Sequence, residues 1–233
     1  MTGSESGIAW VRIEGSGPHN LLDVGALSAL TRKLAPFLDA PPAAVMLHGG
    51  ESFSAGADLT ELGRMTAEEF AGLLDAELDL YELVERLPCP TVAVIRKWCQ
   101  GSAAELALAC DMRIAGESAR FCLPEVAAGF PAPVHRLAQL VLPGVATELV
   151  LTGRRMGAGE AAKAGLYTQV VPDAELDAAA RRLAERLAGL PSPAAVATTK
   201  AWLRQARAGE PFDRADLRAR ATSIFSDWLD GRR

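Results

Sequence analysis

Apolar and polar positions change period several times along the chain, and each change marks an element. Ile8 to Ile13 alternates like a half-buried strand, with a turn over Gly15 to Pro18 behind it. Asp23 then suits a helix cap, ahead of Leu27, Leu30 and Leu34 at helical spacing. Ala43 to Leu47 reads as a buried strand, and the small-residue loop Ser54 to Asp58 opens onto another helical segment. Glu68 to Arg86 is amphipathic, with acids between its apolar positions, and Pro88 and Pro90 stop it. A strand over Thr91 to Ile95 follows, then a tight loop at Gln100-Gly101-Ser102 and a helix of small apolar residues from Ala103 to Cys110. Met112 to Ala115 and Ala119 to Leu123 are short strands, and Gly129 to Pro133 is a turn. The remainder reads as helix, with clear pieces at Ala174 to Leu187, Ala194 to Ala206 and Pro211 to Trp228.

Strand, loop and helix repeating in the first half, with helices alone in the second, predict an α/β core carrying a C-terminal helical element. Apolar helix faces left over at the end of a chain suit burial on another subunit, so a homo-oligomer is expected.

Composition narrows the function classes. With 49% apolar and 23% charged residues, the 233-residue chain matches globular proteins rather than disordered ones. A net charge of −5, with no Lys/Arg run longer than two, argues against a nucleic-acid partner. Met1 to Gly7 is small and polar, and no long uncharged apolar stretch occurs, so a cytoplasmic protein without a membrane partner is expected. Cys89, Cys99, Cys110 and Cys122 lie too far apart for metal knuckles, and His19, His48 and His135 are equally scattered. Buried thiols and no metal site are expected.

Candidate chemistry concentrates in two loops. Ser54 to Asp58 and Gly101 to Ala104 each follow a strand and run into a helix N-terminus, where main-chain N–H groups are free and the dipole favours negative charge. Converging on one spot, they form a two-donor oxyanion hole; diverging, they are ordinary turns. Glu105 sits in an otherwise apolar helix, which suits either a proton-transfer carboxyl with raised pKa or a buried ion pair with Arg113 or Arg120. Glu125, at the start of a Gly/Pro turn, is its candidate partner or else a surface or capping residue. His48-Gly49-Gly50 resembles a lipase oxyanion loop, but no GxSxG and no histidine after His135 accompany it. Gly157 to Ala162 fits a dinucleotide fingerprint, but it follows Arg154-Arg155 rather than a strand.

Three blocks in order, Phe53 to Leu59, Glu105 to Ala115 and Phe121 to Glu125, resemble those of the enoyl-CoA hydratase/isomerase (crotonase) family, and Leu149 to Leu166 is similar to its later segment. The resemblance implies a crotonase-like spiral of ββα units over 1–172 and a C-terminal helical, trimer-forming region over 173–233. The assembly would be a homotrimer or a dimer of trimers. The implied substrate is an acyl-CoA or acyl carrier protein thioester, with no cofactor beyond it. By position in the motifs, the N–H groups of Ala57 and Ser102 would hold the thioester oxygen, and Glu105 and Glu125 would be the acid/base pair. Ala55, Asp58, Leu59, Thr60 and Gly101 would line the substrate site.

The implied reaction is addition of water across the 2,3 double bond. Isomerisation of the double bond, or a scaffold that has lost catalysis, are the other readings. Three departures from the family pattern stand out: Ser102 replaces a glycine, the Gly129 to Leu137 turn is short and proline-stiffened, and the ending Ser226 to Arg233 lacks the usual glycine-containing run.

Overall fold

The computed structural model describes Ser4–Glu5 and residues 7–230. In chain order its strands are β1 (Ser4–Glu5), β2 (Ile8–Arg12), β3 (Ala44–His48), β4 (Thr91–Ile95), β5 (Trp98–Gln100), β6 (Met112–Gly116), β7 (Arg120–Cys122), β8 (Met156–Gly157) and β9 (Gln169–Val171). The helices are α1 (Val24–Leu34), α2 (Leu59–Leu62), α3 (Ala67–Arg86), α4 (Ser102–Ala109), α5 (His135–Ala138), α6 (Pro143–Thr152), α7 (Ala158–Lys163), α8 (Leu176–Ala188), α9 (Pro193–Arg207) and α10 (Arg214–Asp230).

Six strands form one sheet in the order β1-β2-β3-β4-β6-β9, parallel except for the β1–β2 pair. The smaller sheet, β5-β7-β8, is extended by a parallel bridge between Ser54 and Cys99. The chain therefore visits the large sheet, steps to the small one and returns through a helix: β3, Ser54 and α2–α3, then β4, β5 and α4. This is the repeated strand-strand-helix spiral expected from the resemblance.

Local chemistry explains the borders. The Ala26 N–H donates to Asp23 Oδ1 at 2.7 Å, capping α1. Thr66 and Glu69 form a reciprocal capping box at the start of α3. Every residue of α4 is buried, as suits a helix of small apolar residues at the centre of a fold, and Ser102 and Glu105 are buried with them. Arg113 closes its far end, donating to the carbonyls of Ala107 and Cys110 at 3.2 and 2.7 Å.

One face of the large sheet meets α1, α3 and α4 in the main core. The other is covered by α8, whose Leu176, Ala179, Ala180 and Ala184 pack on Met46, Val92, Val94 and Ile114. No residue of α9 or α10 is fully buried, although Lys200 Nζ reaches Asp111 Oδ2 at 2.7 Å and the Cys89 carbonyl at 3.0 Å.

Strands β8 and β9 lie where the pattern predicted helix. They are two and three residues long, too short to show alternation, and exist because β7 and β6 offer open edges. The expectations placed on Met1 to Gly3, on Ser6 and on Gly231 to Arg233 lie outside the described residues. Among the described residues no helix is long and apolar enough to cross a membrane, and no cluster of His, Cys, Asp and Glu could hold a metal.

The turn between β3 and α2 depends on a missing side chain. Gly56 has φ +86°, and a Cβ there would lie 2.6 Å from the Gln100 carbonyl oxygen. Gly56→Ala is expected to destabilise the fold by about 1–3 kcal/mol, through both the left-handed backbone and the collision. Gly72, in mid-α3 with nothing within 4 Å of a Cβ, is the control: Gly72→Ala should stabilise by about 0.5–1 kcal/mol. Thermal melts of the two variants should shift in opposite directions.

Candidate active site

Two turns meet back to back. The Ser54 N–H donates to the Trp98 carbonyl at 2.9 Å and the Gln100 N–H to the Ser54 carbonyl at 3.2 Å, so the first turn is stitched to the strand that precedes the second. A Cβ on Gly56 would lie 3.5 Å from the Gly101 Cα. Gly101, with φ +55° and ψ −129°, is N-cap to α4, and its own N–H donates to the Cys122 carbonyl at 3.0 Å. Ser102 is thus the first residue of α4, and its N–H, like that of Ala57, has no acceptor among the described residues. The two loops thus pack against each other at Gly56 and Gly101.

The 101–122 hydrogen bond also carries Glu125 to the same place. A Cβ on Gly101 would lie 3.4 Å from Glu125 Oε1, so glycine leaves room for that carboxyl. Glu125 is half-buried, with Oε2 sealed from solvent and unpartnered, and burial raises its pKa against the pull of its own N–H. Glu105 is only 1% exposed and neither of its oxygens has a hydrogen-bond partner. Desolvation pushes its pKa to about 8; the Arg136 charge opposes this and the Glu125 charge adds to it.

The ion pair weighed for Glu105 with Arg113 or Arg120 does not form. Arg113 is occupied with carbonyls at the far end of α4 and with that of Leu166, and Arg120 reaches the carbonyls of Glu117 and Ala119. The cation near Glu105 is Arg136 of α5, whose Nη1 stands 3.7 Å from Oε2.

Helix α3 supplies what the sequence reading passed over. The Tyr81 hydroxyl donates to the Ser102 carbonyl at 2.8 Å, and the tyrosine ring lies 5.2 Å beneath the Arg136 guanidinium. One turn earlier Glu77 faces the Ser102 hydroxyl; burial raises its pKa to about 7, the hydroxyl opposing and Glu125 reinforcing the shift. One turn later Glu85 grips Arg136 at 2.7 and 3.1 Å. Glu77 and Glu85 stand four residues either side of Tyr81, a buried position, so the helical period carried the signal.

The other expected lining residues lie in and just beyond the first turn. The Ala55 N–H donates to the His19 carbonyl at 3.0 Å, and Asp58 Oδ1 accepts from the N–H groups of Thr60 and Glu61 at 2.8 and 3.4 Å. Leu59 is 71% exposed, unusual for a large apolar side chain.

Seven buried side-chain polar atoms among the described residues lack a hydrogen-bond partner. Five belong to this spot: Ser102 Oγ, both oxygens of Glu105, Glu125 Oε2 and Arg136 Nη1. Such atoms are costly in a stable fold, and their concentration singles this spot out as the candidate site.

A family model described as "Enoyl-CoA hydratase/isomerase" matches residues 3–226. The chain is 32% identical over 193 residues to a protein of Arabidopsis thaliana named "Probable enoyl-CoA hydratase 2, mitochondrial", covering 80% of this chain but only 64% of that relative's length. It is 34% identical over 194 residues to a carnitinyl-CoA dehydratase of Salmonella typhi, covering 78% of this chain and 71% of the relative. Among solved structures, an enoyl-CoA hydratase from Bacillus anthracis superposes with TM-score 0.85 at 32% identity, over 94% of this chain and 86% of that one. An enoyl-CoA hydratase/isomerase family protein from Hyphomonas neptunium superposes with TM-score 0.91 at 27% identity, over 99% and 91%. By its blocks, its strand-strand-helix spiral and these likenesses, the chain belongs to the enoyl-CoA hydratase/isomerase family, with the crotonase fold.

Proposed function

We propose that the chain is an enoyl-CoA hydratase, adding water across the 2,3 double bond of an acyl thioester. The observation that carries the reading is the pair of partly desolvated carboxyls, Glu105 and Glu125, beside two turns whose N–H groups at Ala57 and Ser102 lack acceptors. The carrier is coenzyme A or an acyl carrier protein. A trimer or dimer of trimers would cover the apolar residues that α9 and α10 expose, among them Leu203, Phe225 and Trp228.

In this reading the thioester oxygen accepts from both N–H groups. Burial raises the pKa of both carboxyls, and the Glu125 charge raises that of Glu105 further, so in this reading the pair holds one proton. The ionised carboxylate takes a proton from water as the water oxygen bonds to C3. The C2=C3 electron pair moves toward the thioester, its oxygen becomes the enolate oxygen, and the N–H pair stabilises it. The protonated carboxyl then delivers its proton to C2, leaving the hydroxyacyl thioester and a pair that again holds one proton. Isomerisation would pass through the same enolate without water, so product analysis separates the two reactions.

Glu105→Gln and Glu125→Gln should each lower kcat for a trans-2-enoyl-CoA by about 10²–10⁴-fold, with thioester affinity by calorimetry little changed. Wild-type rates in both would remove the carboxyls from the mechanism. Double-bond shift of a trans-3-enoyl-CoA without hydration of the trans-2 isomer would make the enzyme an isomerase, and turnover of neither would favour a scaffold. Ser102→Ala should keep kcat within about threefold, since the donor at 102 is the main chain and not the hydroxyl.

A further inference from the structure

Arg136 is a buried cation that the hydration chemistry does not use. It is 4% exposed, and its guanidinium is held by Glu85 and the Tyr81 ring. Glu85 takes Nε and Nη2 at 2.7 and 3.1 Å, the Tyr81 ring supports it at 5.2 Å, and Nη1 is left 3.7 Å from Glu105 Oε2 with no hydrogen-bond partner. A free arginine beside a buried carboxylate would close on it with two parallel N–H···O bonds. Here Glu85 has taken that fork, and the geometry stops the remaining N–H short of bonding distance.

We propose that Arg136 is a positioning residue for Glu105, clamped by Glu85 so that it lends Glu105 its positive charge across a gap without engaging it in a hydrogen bond. The inference rests on the reading of Glu105 as a proton-transfer group. With no positive charge nearby, a carboxyl this deep would stay protonated; with a bidentate arginine it would stay ionised and hold its lone pairs in the bond. A guanidinium held just out of reach places it between these limits, with both oxygens free for substrate and water.

The groups facing this pair are Glu77, Tyr81 and Glu85 on α3, the Ser102 hydroxyl on α4, Glu125 before the turn, and His135 beside Arg136 on α5. Glu85 and Arg136 act on Glu105 with opposite signs, the arginine lowering its pKa and the glutamate raising it. Removing each must therefore displace the titration in opposite directions. Loss of the Arg136 charge disfavours the carboxylate. Loss of Glu85 removes a like charge and also releases the guanidinium to close on Glu105.

The test is an infrared titration of the whole, substrate-free protein, following the C=O stretch of the protonated Glu105 carboxyl, identified as the band that Glu105→Gln abolishes. In Glu85→Gln the midpoint is expected about one pH unit lower than in the wild type, and in Arg136→Gln about one pH unit higher. The pH profile of kcat/KM for a trans-2-enoyl-CoA should move the same way in each variant, and Arg136→Lys, which keeps the charge, should return the midpoint toward the wild-type value. Unmoved midpoints, or two shifts of the same sign, overturn the proposal. Should Arg136→Gln not fold, Glu85→Gln decides alone, a lower midpoint supporting the proposal and an unchanged or higher one refuting it. Opposed infrared shifts in an enzyme that turns over no enoyl thioester would count against the hydratase reading and leave the clamp standing.

Discussion

The contact between main chain and main chain at Gly56 and Gln100-Gly101 is the constraint from which the candidate site follows. Two turns can approach this closely only where neither carries a side chain on the facing side, and both glycines have positive φ. The Ser54–Cys99 bridge fixes the register of the approach, because the first turn is in effect a further strand of the small sheet. Once the backbones are in register, the orientations of the Ala57 and Ser102 N–H groups are set by the fold and owe nothing to side-chain rotamers. The hydrogen bond from Gly101 to Cys122 extends the same frame to Glu125, three residues further on.

Against this rigid frame stands a group of side chains whose polar atoms are poorly paired. A buried carboxyl with two unpartnered oxygens is destabilising by roughly 1–3 kcal/mol or more. Its helix, α4, lies in the middle of an apolar core formed by α1, α3 and the large sheet, which offsets the loss. Burial is also what raises the pKa of Glu105, so the environment that stabilises the fold sets the protonation of the site. A more exposed α4 would have been cheaper to furnish with an acid and less able to tune it.

Much of this was legible from residue pattern, and the parts that were not share a cause. The long elements α1, α3, α4 and α8 and the buried strands β3 and β4 announce themselves through periodicity or apolar runs of adequate length. Glu105 was conspicuous because one charge in an apolar helix breaks its pattern. Glu77 and Glu85 were hidden in plain sight: α3 carries acids on its solvent face too, and only the distance of four residues from Tyr81 separates those that point inward. Strands β8 and β9 are too short to have a period and are specified by the edges they join. The partner of Glu105 could not be chosen from sequence, because Arg113, Arg120 and Arg136 are all plausible until the topology turns Arg113 toward carbonyls and brings α5 to α4.

The ion-paired group at α5 also shows why one short helix matters to a site assembled mostly from turns. Helix α5 has four residues and could not hold its position by helical hydrogen bonds alone. Arg136 ties it to α3 through Glu85 and Tyr81, while Leu137, fully buried, anchors it in the core. Tyr81 in turn holds the Ser102 carbonyl, at the first residue of α4. Three helices are thus joined through one tyrosine and one arginine at the point where Glu105 enters the site. The distance from Nη1 to Glu105 is set by where α5 sits, and with it the strength of the Arg136 charge at that carboxyl. The main chain thus fixes where the two turns present their N–H groups, and the side-chain junction sets the charge around Glu105.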